Sequence, residues 1–159
     1  MKWPRTSSRY KTLPDSHDSI LFDEQRFYDA FASDINSAHS SVIVESPYLT
    51  ERRALQFAKL ITRKVNQGIK ITIYTRHPSH HTSNLESQSW IACRILKDAG
   101  ARVYLCDDMR HRKIAIIDNA VLWEGSLNIF SQNESLELMR RTVCETQVRY
   151  VTKLLKLKV

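Results

Sequence analysis

The sequence predicts an α/β fold, a mixed and largely parallel β-sheet flanked by helices. Three observations carry this reading. Short β-prone runs alternate with stretches whose apolar residues recur at helical spacing, the pattern of helices packed on a sheet. Two of the runs, Lys113 to Asp118 and Ala120 to Trp123, are joined by a tight Asp118-Asn119 turn, so the sheet contains a hairpin and is mixed. The 159 residues include only three glycines and no repeat or linker, which suits one domain with one core. Residues 1–19 read as an irregular arm carrying Arg5, Arg9 and Lys11, and residues 20–159 as the domain.

The elements follow in order. Asp23 is a good helix N-cap, and Phe27, Phe31, Ile35 and Ala38 recur behind it at helical spacing. Ser41 to Glu45 is a short buried strand closed by Pro47. Thr50 can cap a second helix with an inward stripe of Ala54, Ala58, Ile61 and Val65 and a stop at Gly68. Its outer face carries Arg52, Lys59 and Arg63. Ile69 to Thr75 alternates apolar and β-prone residues and is a strand. After a polar loop, Arg76 to Ser83, a third helix spans about 84–98, with Leu85, Trp90, Ile91 and Ile95 as its apolar contacts and Gly100 as its stop. Arg102 to Cys106 is a strand, and Leu136 to Arg141 another. Val148, Val151 and Leu154 or Leu155 return to helical spacing before Lys156 and Lys158.

Charge and cysteine usage narrow the function classes. Lys and Arg number 24 against 17 Asp and Glu, a surplus of +7 that favours polyanions such as nucleic acid or anionic lipid surfaces. Cys93, Cys106 and Cys144 are odd in number and widely spaced, which reads as buried free thiols in a reducing compartment. The first residues hold no apolar signal-like run, and no apolar stretch approaches membrane-spanning length, so the expected location is cytoplasmic with no membrane insertion.

The chemistry concentrates between His111 and Asn128. His111, Lys113 and Asp118 are followed by Gly125, Ser126 and Asn128, in the pattern H-x-K-x4-D-x6-G-S-x-N. Six residue types at fixed spacing arise by chance in a chain of this length on the order of once in a million. The pattern resembles the HKD signature of the phospholipase D superfamily, and the helix–strand order before and after it resembles that fold over most of the chain. In size the chain is similar to the small single-motif bacterial endonucleases of that superfamily. The run Trp123 to Asn128, with Glu137 to Arg140 after it, also resembles HKD modules attached to some helicases and restriction systems.

Physical chemistry assigns each residue a role. A neutral ring nitrogen of His111 can attack phosphorus and form a phosphohistidine, which divides one hard displacement into two easier ones. Lys113, the Ser126 hydroxyl and the Asn128 amide can hold substrate and stabilise charge on the non-bridging oxygens. Asp118, at the far end of an apolar strand, is expected to be structural and to bond a turn or loop. The resemblance implies a carboxylate downstream of the Gly-Ser element that orients the catalytic imidazole; Glu137 is the best-placed match, with Glu134 its rival.

One requirement lies outside the motif. The leaving oxygen needs a proton from a second group, and a water must later be activated. None of His17, His39, His77, His80 and His81 begins an H-x-K. A homodimer joining two His111 residues across a twofold axis resolves this, with one composite site per dimer. His77, His80 and His81 share a loop without a Cys or acidic partner at ligand spacing, so a cleft-lining role is expected rather than zinc. No cofactor is expected, because Lys113 and its partner copy supply the positive charge.

The expected activity is therefore a metal-independent, weakly sequence-specific endonuclease, with DNA ahead of RNA as substrate. The alternatives are a phospholipase D-type lipid phosphodiesterase and an inactive nucleic-acid-binding module of the same fold. Charge, small size and the lack of an apolar docking patch favour nucleic acid over lipid.

Overall fold

A computed structural model of the chain describes residues 19–131 and 134–157. Strand β1 (Ser19–Asp23) leads into helix α1 (Glu24–Ser37), then β2 (Ser41–Glu45), α2 (Glu51–Asn66), β3 (Lys70–Arg76) and α3 (Ser83–Asp98). β4 (Arg102–Cys106), β5 (Ile114–Ile117), β6 (Val121–Gly125), β7 (Leu138–Val143) and α4 (Glu145–Leu155) complete the order. The seven strands form one sheet in the order β1-β7-β6-β5-β2-β3-β4.

The sheet is mixed, as the sequence predicts. β2, β3 and β4 pair in parallel, while the β2–β5, β5–β6, β6–β7 and β1–β7 pairs are antiparallel. "Largely parallel" therefore describes strand direction and not pairing. Five of the seven strands run one way and only β5 and β7 oppose them, yet four of the six neighbouring pairs are antiparallel.

Alternation along the strands sorts the side chains onto two faces. Val42, Val44, Ala115, Ile117 and Trp123 join α1, α2 and α3 in the main core. Ile43, Ile116 and Leu122 face the other way and meet Val148 of α4. One face thus carries three helices and the other one. Trp123 is fully buried, and its indole N–H donates to Asp34 of α1 at 2.7 Å. Asp34 also receives two bonds from Arg141 of β7, at 2.7 and 2.9 Å, which ties α1 to two strands at once.

Several expectations need correction. Residues 1–18 of the expected arm lie outside the described residues, but Ser19 belongs to β1, which pairs with β7 at the edge of the sheet. Asp23 caps α1 by accepting from the Arg26 N–H at 3.0 Å. Thr50 occupies the N-cap position of α2 without a side-chain cap, because its hydroxyl donates to the Phe130 carbonyl instead. The expected stripe of α2 does face the core, with Ala54 and Ile61 buried and Ala58 and Val65 half-buried against it, but Phe57 and Lys64 are buried there as well. In α3 the buried residues are Ser89, Ala92, Cys93 and Leu96, whereas Trp90 and Ile91 are exposed. The small residues at i, i+3 and i+4 let α3 approach α2 closely, and the large ones are turned out. Of the three free thiols, Cys93 is buried and Cys106 and Cys144 are half-buried. Burial pushes the Cys93 thiol up to about 11.

Candidate active site

β5 runs against the direction of β2, so the residues just before it emerge where β2, β3, β4 and β6 end. His111 and Lys113 stand there. Lys113 is buried, and its ammonium donates to Nδ1 of His111 at 2.7 Å and to the His111 carbonyl at 2.7 Å. Burial lowers the Lys113 pKa most; Glu137 raises it and Arg76 lowers it further. The His111 pKa is lowered by burial first, then by the Lys113 charge, then by that of Arg76. Burial and the two neighbouring cations favour the neutral imidazole, the state in which a ring nitrogen has a lone pair to attack with.

The neighbours of His111 are anchored from below. Glu45, the last residue of β2, is buried, and its carboxylate receives bonds from Arg112 at 2.9 and 3.2 Å and lies 3.7 Å from Arg110. Arg110 and Arg112 are thereby pinned on either side of His111. Their shared carboxylate fixes the path of a loop that otherwise lacks regular structure.

β6 delivers the second half of the motif. Gly125 hydrogen-bonds its N–H to the Lys113 carbonyl at 3.3 Å, and a Cβ there would collide with the Leu138 carbonyl oxygen, so only glycine fits. Ser126 pairs with Leu138 in both directions: its N–H donates to the Leu138 carbonyl, and its hydroxyl accepts from the Leu138 N–H at 3.2 Å. Ser126 and Lys113 line one cleft of about 580 Å³, together with Arg112 and Arg140. Asn128 sits on the stretch that meets the β2–α2 connection through the Leu49–Phe130 bridge, and its Oδ1 is buried without a hydrogen-bond partner.

Asp118 lies at the opposite end of β5. Its carboxylate accepts from the backbone N–H groups of His39, Ser40 and Ser41 at 2.7, 2.8 and 2.9 Å, and from the Ser40 hydroxyl at 2.9 Å. Burial pushes this carboxyl up, but the bonds together outweigh it and hold the pKa below the usual value.

The structure does not bring Glu137 to the imidazole. Its carboxylate accepts from the Ser135 hydroxyl at 2.9 Å, and its charge acts on Lys113, which occupies Nδ1 of His111. Glu134 is exposed on the same loop. The three loop histidines separate: the His77 ring nitrogen is 2.7 Å from the Ser79 hydroxyl, whereas the His81 ring packs 5.1 Å from Tyr48 with its Nε2 buried and unpartnered. Among the described residues, no three His, Cys, Asp or Glu side chains cluster as metal ligands.

Sequence reasoning missed three site residues, Glu45, Tyr48 and Arg76. The Tyr48 ring packs edge-on to His111 at 5.9 Å and lies 5.3 Å from the Arg76 guanidinium. Glu45 had a readable signal, a carboxylate ending an otherwise apolar strand. Tyr48 and Arg76 had none, since their proximity to His111 comes only from the strand order.

Comparison with known proteins agrees with this geometry. The family described as "Cardiolipin synthase, PLD-like domain" matches residues 31–154. The chain belongs to the phospholipase D superfamily. Among solved structures, NucT from Helicobacter pylori is 25% identical with a TM-score of 0.67, over 86% of this chain and 91% of that one. The phospholipase D family member Nuc from Salmonella typhimurium is 15% identical with a TM-score of 0.71, over 85% of this chain and 89% of that one. TrmBL2, an archaeal chromatin protein, shares the fold at 10% identity and a TM-score of 0.56, over 86% of this chain and 49% of its own. No curated protein matches. The superfamily and its mixed α/β fold are thus established, and with them a phosphodiesterase-type scaffold. Among the described residues, no helix is long and apolar enough to cross a membrane.

Proposed function

We propose that this protein is a metal-independent endonuclease of the superfamily, acting on DNA ahead of RNA through a covalent phosphohistidine at a homodimer interface. The observation that carries the reading is the buried Lys113 ammonium held 2.7 Å from the ring of His111, at the mouth of a cleft that Ser126 also lines. On substrate binding, Lys113 leaves the ring for a non-bridging phosphate oxygen, joined by the Ser126 hydroxyl and the Asn128 amide. A ring nitrogen of His111 attacks phosphorus, the P–N bond forms and the P–O bond to the leaving strand breaks. Glu137 then orients the imidazole that Lys113 has released, with Glu134 as the other carboxylate on that loop.

The leaving oxygen takes its proton from the His111 of a second copy. The same imidazole then accepts a proton from the water that breaks the P–N bond. Exposed Met109 and Leu136, one shortly before His111 and one beside Glu137, support a dimer whose interface surrounds the site. Arg112 and Arg140 in the cleft, with the overall charge of +7, support a polyanionic substrate gripped by its backbone.

Plasmid DNA and phosphatidylcholine vesicles, each incubated with enzyme in EDTA, test this reading, with His111→Ala as control. Nicking of DNA, no lipid turnover and an acid-labile phosphate adduct on His111 are expected. Loss of cleavage under EDTA that one divalent metal restores would overturn the mechanism. Full activity at concentrations where sedimentation finds only monomer would overturn the dimer. The family's description favours a lipid substrate as the second reading, and turnover of the vesicles alone would establish it. Equal DNA binding by wild type and His111→Ala, with no cutting by either, would leave a binding module.

A further inference from the structure

Arg76, the last residue of β3, is only 8% exposed. A charged side chain at that depth ordinarily has a carboxylate beside it. The other half-buried arginines near the sheet ends do: Arg110 meets Asp108 and Glu45, and Arg141 meets Asp34. Among the described residues, Arg76 has no acidic group within ion-pair distance. Its Nη2 donates to the Arg110 carbonyl at 2.9 Å, its Nη1 lies 3.5 Å from the Tyr48 hydroxyl, and its Nε is buried with no partner at all.

Lys113 is in the same condition, buried and bonded to His111 alone. Two buried cations with no carboxylate in ion-pair contact, both at the end of the sheet where β3 finishes and β5 begins, suit an anion that arrives from outside. We propose that Arg76 is a second phosphate-holding cation of this site, its guanidinium taking one non-bridging oxygen while Lys113 and Ser126 take the other. The inference rests on the phosphodiesterase reading for its substrate, a phosphodiester, but not for its anion. The planar fork suits phosphate oxygens better than a point charge does. Charge on those oxygens grows as His111 attacks, so the contact strengthens towards the transition state. Its position also accounts for the electrostatic influence of Arg76 on both His111 and Lys113.

The test uses inorganic phosphate and bis(p-nitrophenyl) phosphate with the full chain. Titrating phosphate into wild type should shift the Arg76 Nε–H resonance, and an unmoved resonance would overturn the proposal whether or not any variant folds. Arg76→Gln should weaken phosphate binding about 10-fold and lower kcat on the diester about 100-fold, with Arg76→Lys recovering part of the loss. Arg76→Gln should also raise the pKa of His111, which faces Lys113 and Tyr48, and added phosphate should shift that pKa less in the variant than in wild type, a difference that a purely structural arginine would not produce. A folded Arg76→Gln with phosphate affinity and kcat within twofold of wild type would refute the assignment. If wild type shifts Arg76 with phosphate yet cleaves no diester, the anion site stands and the phosphodiesterase reading fails.

Discussion

The two ends of β5 carry the same motif to opposite effect. At the Asp118 end, a carboxylate is met by four donors from the segment that starts β2. At the His111 end, Lys113 and Arg76 are buried cations with no carboxylate in contact, and Arg76 Nε and Asn128 Oδ1 have no partner. One end of the strand is complete within the fold. The other leaves buried polar groups unpaired. The difference separates folding from chemistry inside a single stretch of sequence, and substitutions at the two ends should fail in different ways.

The largest effect is expected at the chemical end. His111→Ala should lower the rate of diester cleavage by about 10⁴-fold or more, while the melting temperature stays within a few degrees of wild type. An activity loss matched by a comparable loss of stability would erase the contrast between the ends.

Asp118→Ala should do the reverse. Removing an acceptor of four bonds is expected to cost about 2–3 kcal/mol in denaturant unfolding, with kcat per folded molecule within about twofold. A selective collapse of kcat in a stable protein would make Asp118 part of the chemistry.

Acid separates the ends further. The folded Asp118 pKa lies below its unfolded value, so its contribution to stability is present above the unfolded value, near 3.9, and is lost as pH falls through the folded one. Asp118→Asn should flatten the acid limb of the stability curve. The lowered His111 pKa has a kinetic consequence: the neutral nucleophile persists below its usual value near 6.5, so the acid limb of kcat/KM should lie at more acidic pH, with a second, alkaline limb where the partner copy's imidazole loses the proton it donates. Both curves can be recorded on one sample series.

The smallest effect concerns the turn. Asp118 and Asn119 both have positive φ, 53° and 55°, in the three-residue loop 118–120 between the paired Ile117 and Val121, a backbone that glycine accommodates more easily at the second of these positions. Asn119→Gly should stabilise the protein by about 0.5 kcal/mol and leave cleavage unaffected.

Much of this was legible before any coordinates. The hairpin was readable because Asp-Asn between two β-prone runs permits few other geometries, and the other alternations fell close to where periodicity put them, except that the last strand runs over Leu138–Val143 and not from Leu136 to Arg141. β1 was missed because Ser19–Asp23 is too short to show a period and gains its identity from pairing with β7, more than a hundred residues away. The face of α3 was misread because large apolar residues were assumed to be inward, whereas close helix packing selects Ser89, Ala92 and Cys93. The motif announced its own residues. Arg76 and Tyr48 could not be found that way, since only the pairing of β5 with β2 brings Tyr48 to His111, and only the placement of β3 on the other side of β2 brings Arg76.

The strand order also sets a schedule for synthesis. β2, β3 and β4, with the helices between them, are contiguous in sequence and can pair as the chain emerges. β5 must then add along the free edge of β2, and Ser126 lacks both of its backbone partners until Leu138 of β7 arrives. β1, made first, waits for that same strand before it can pair at all. A ribosome stalled anywhere before residue 138 would therefore expose a partly built sheet, with β1 unpaired and the Leu138 wall of the cleft missing.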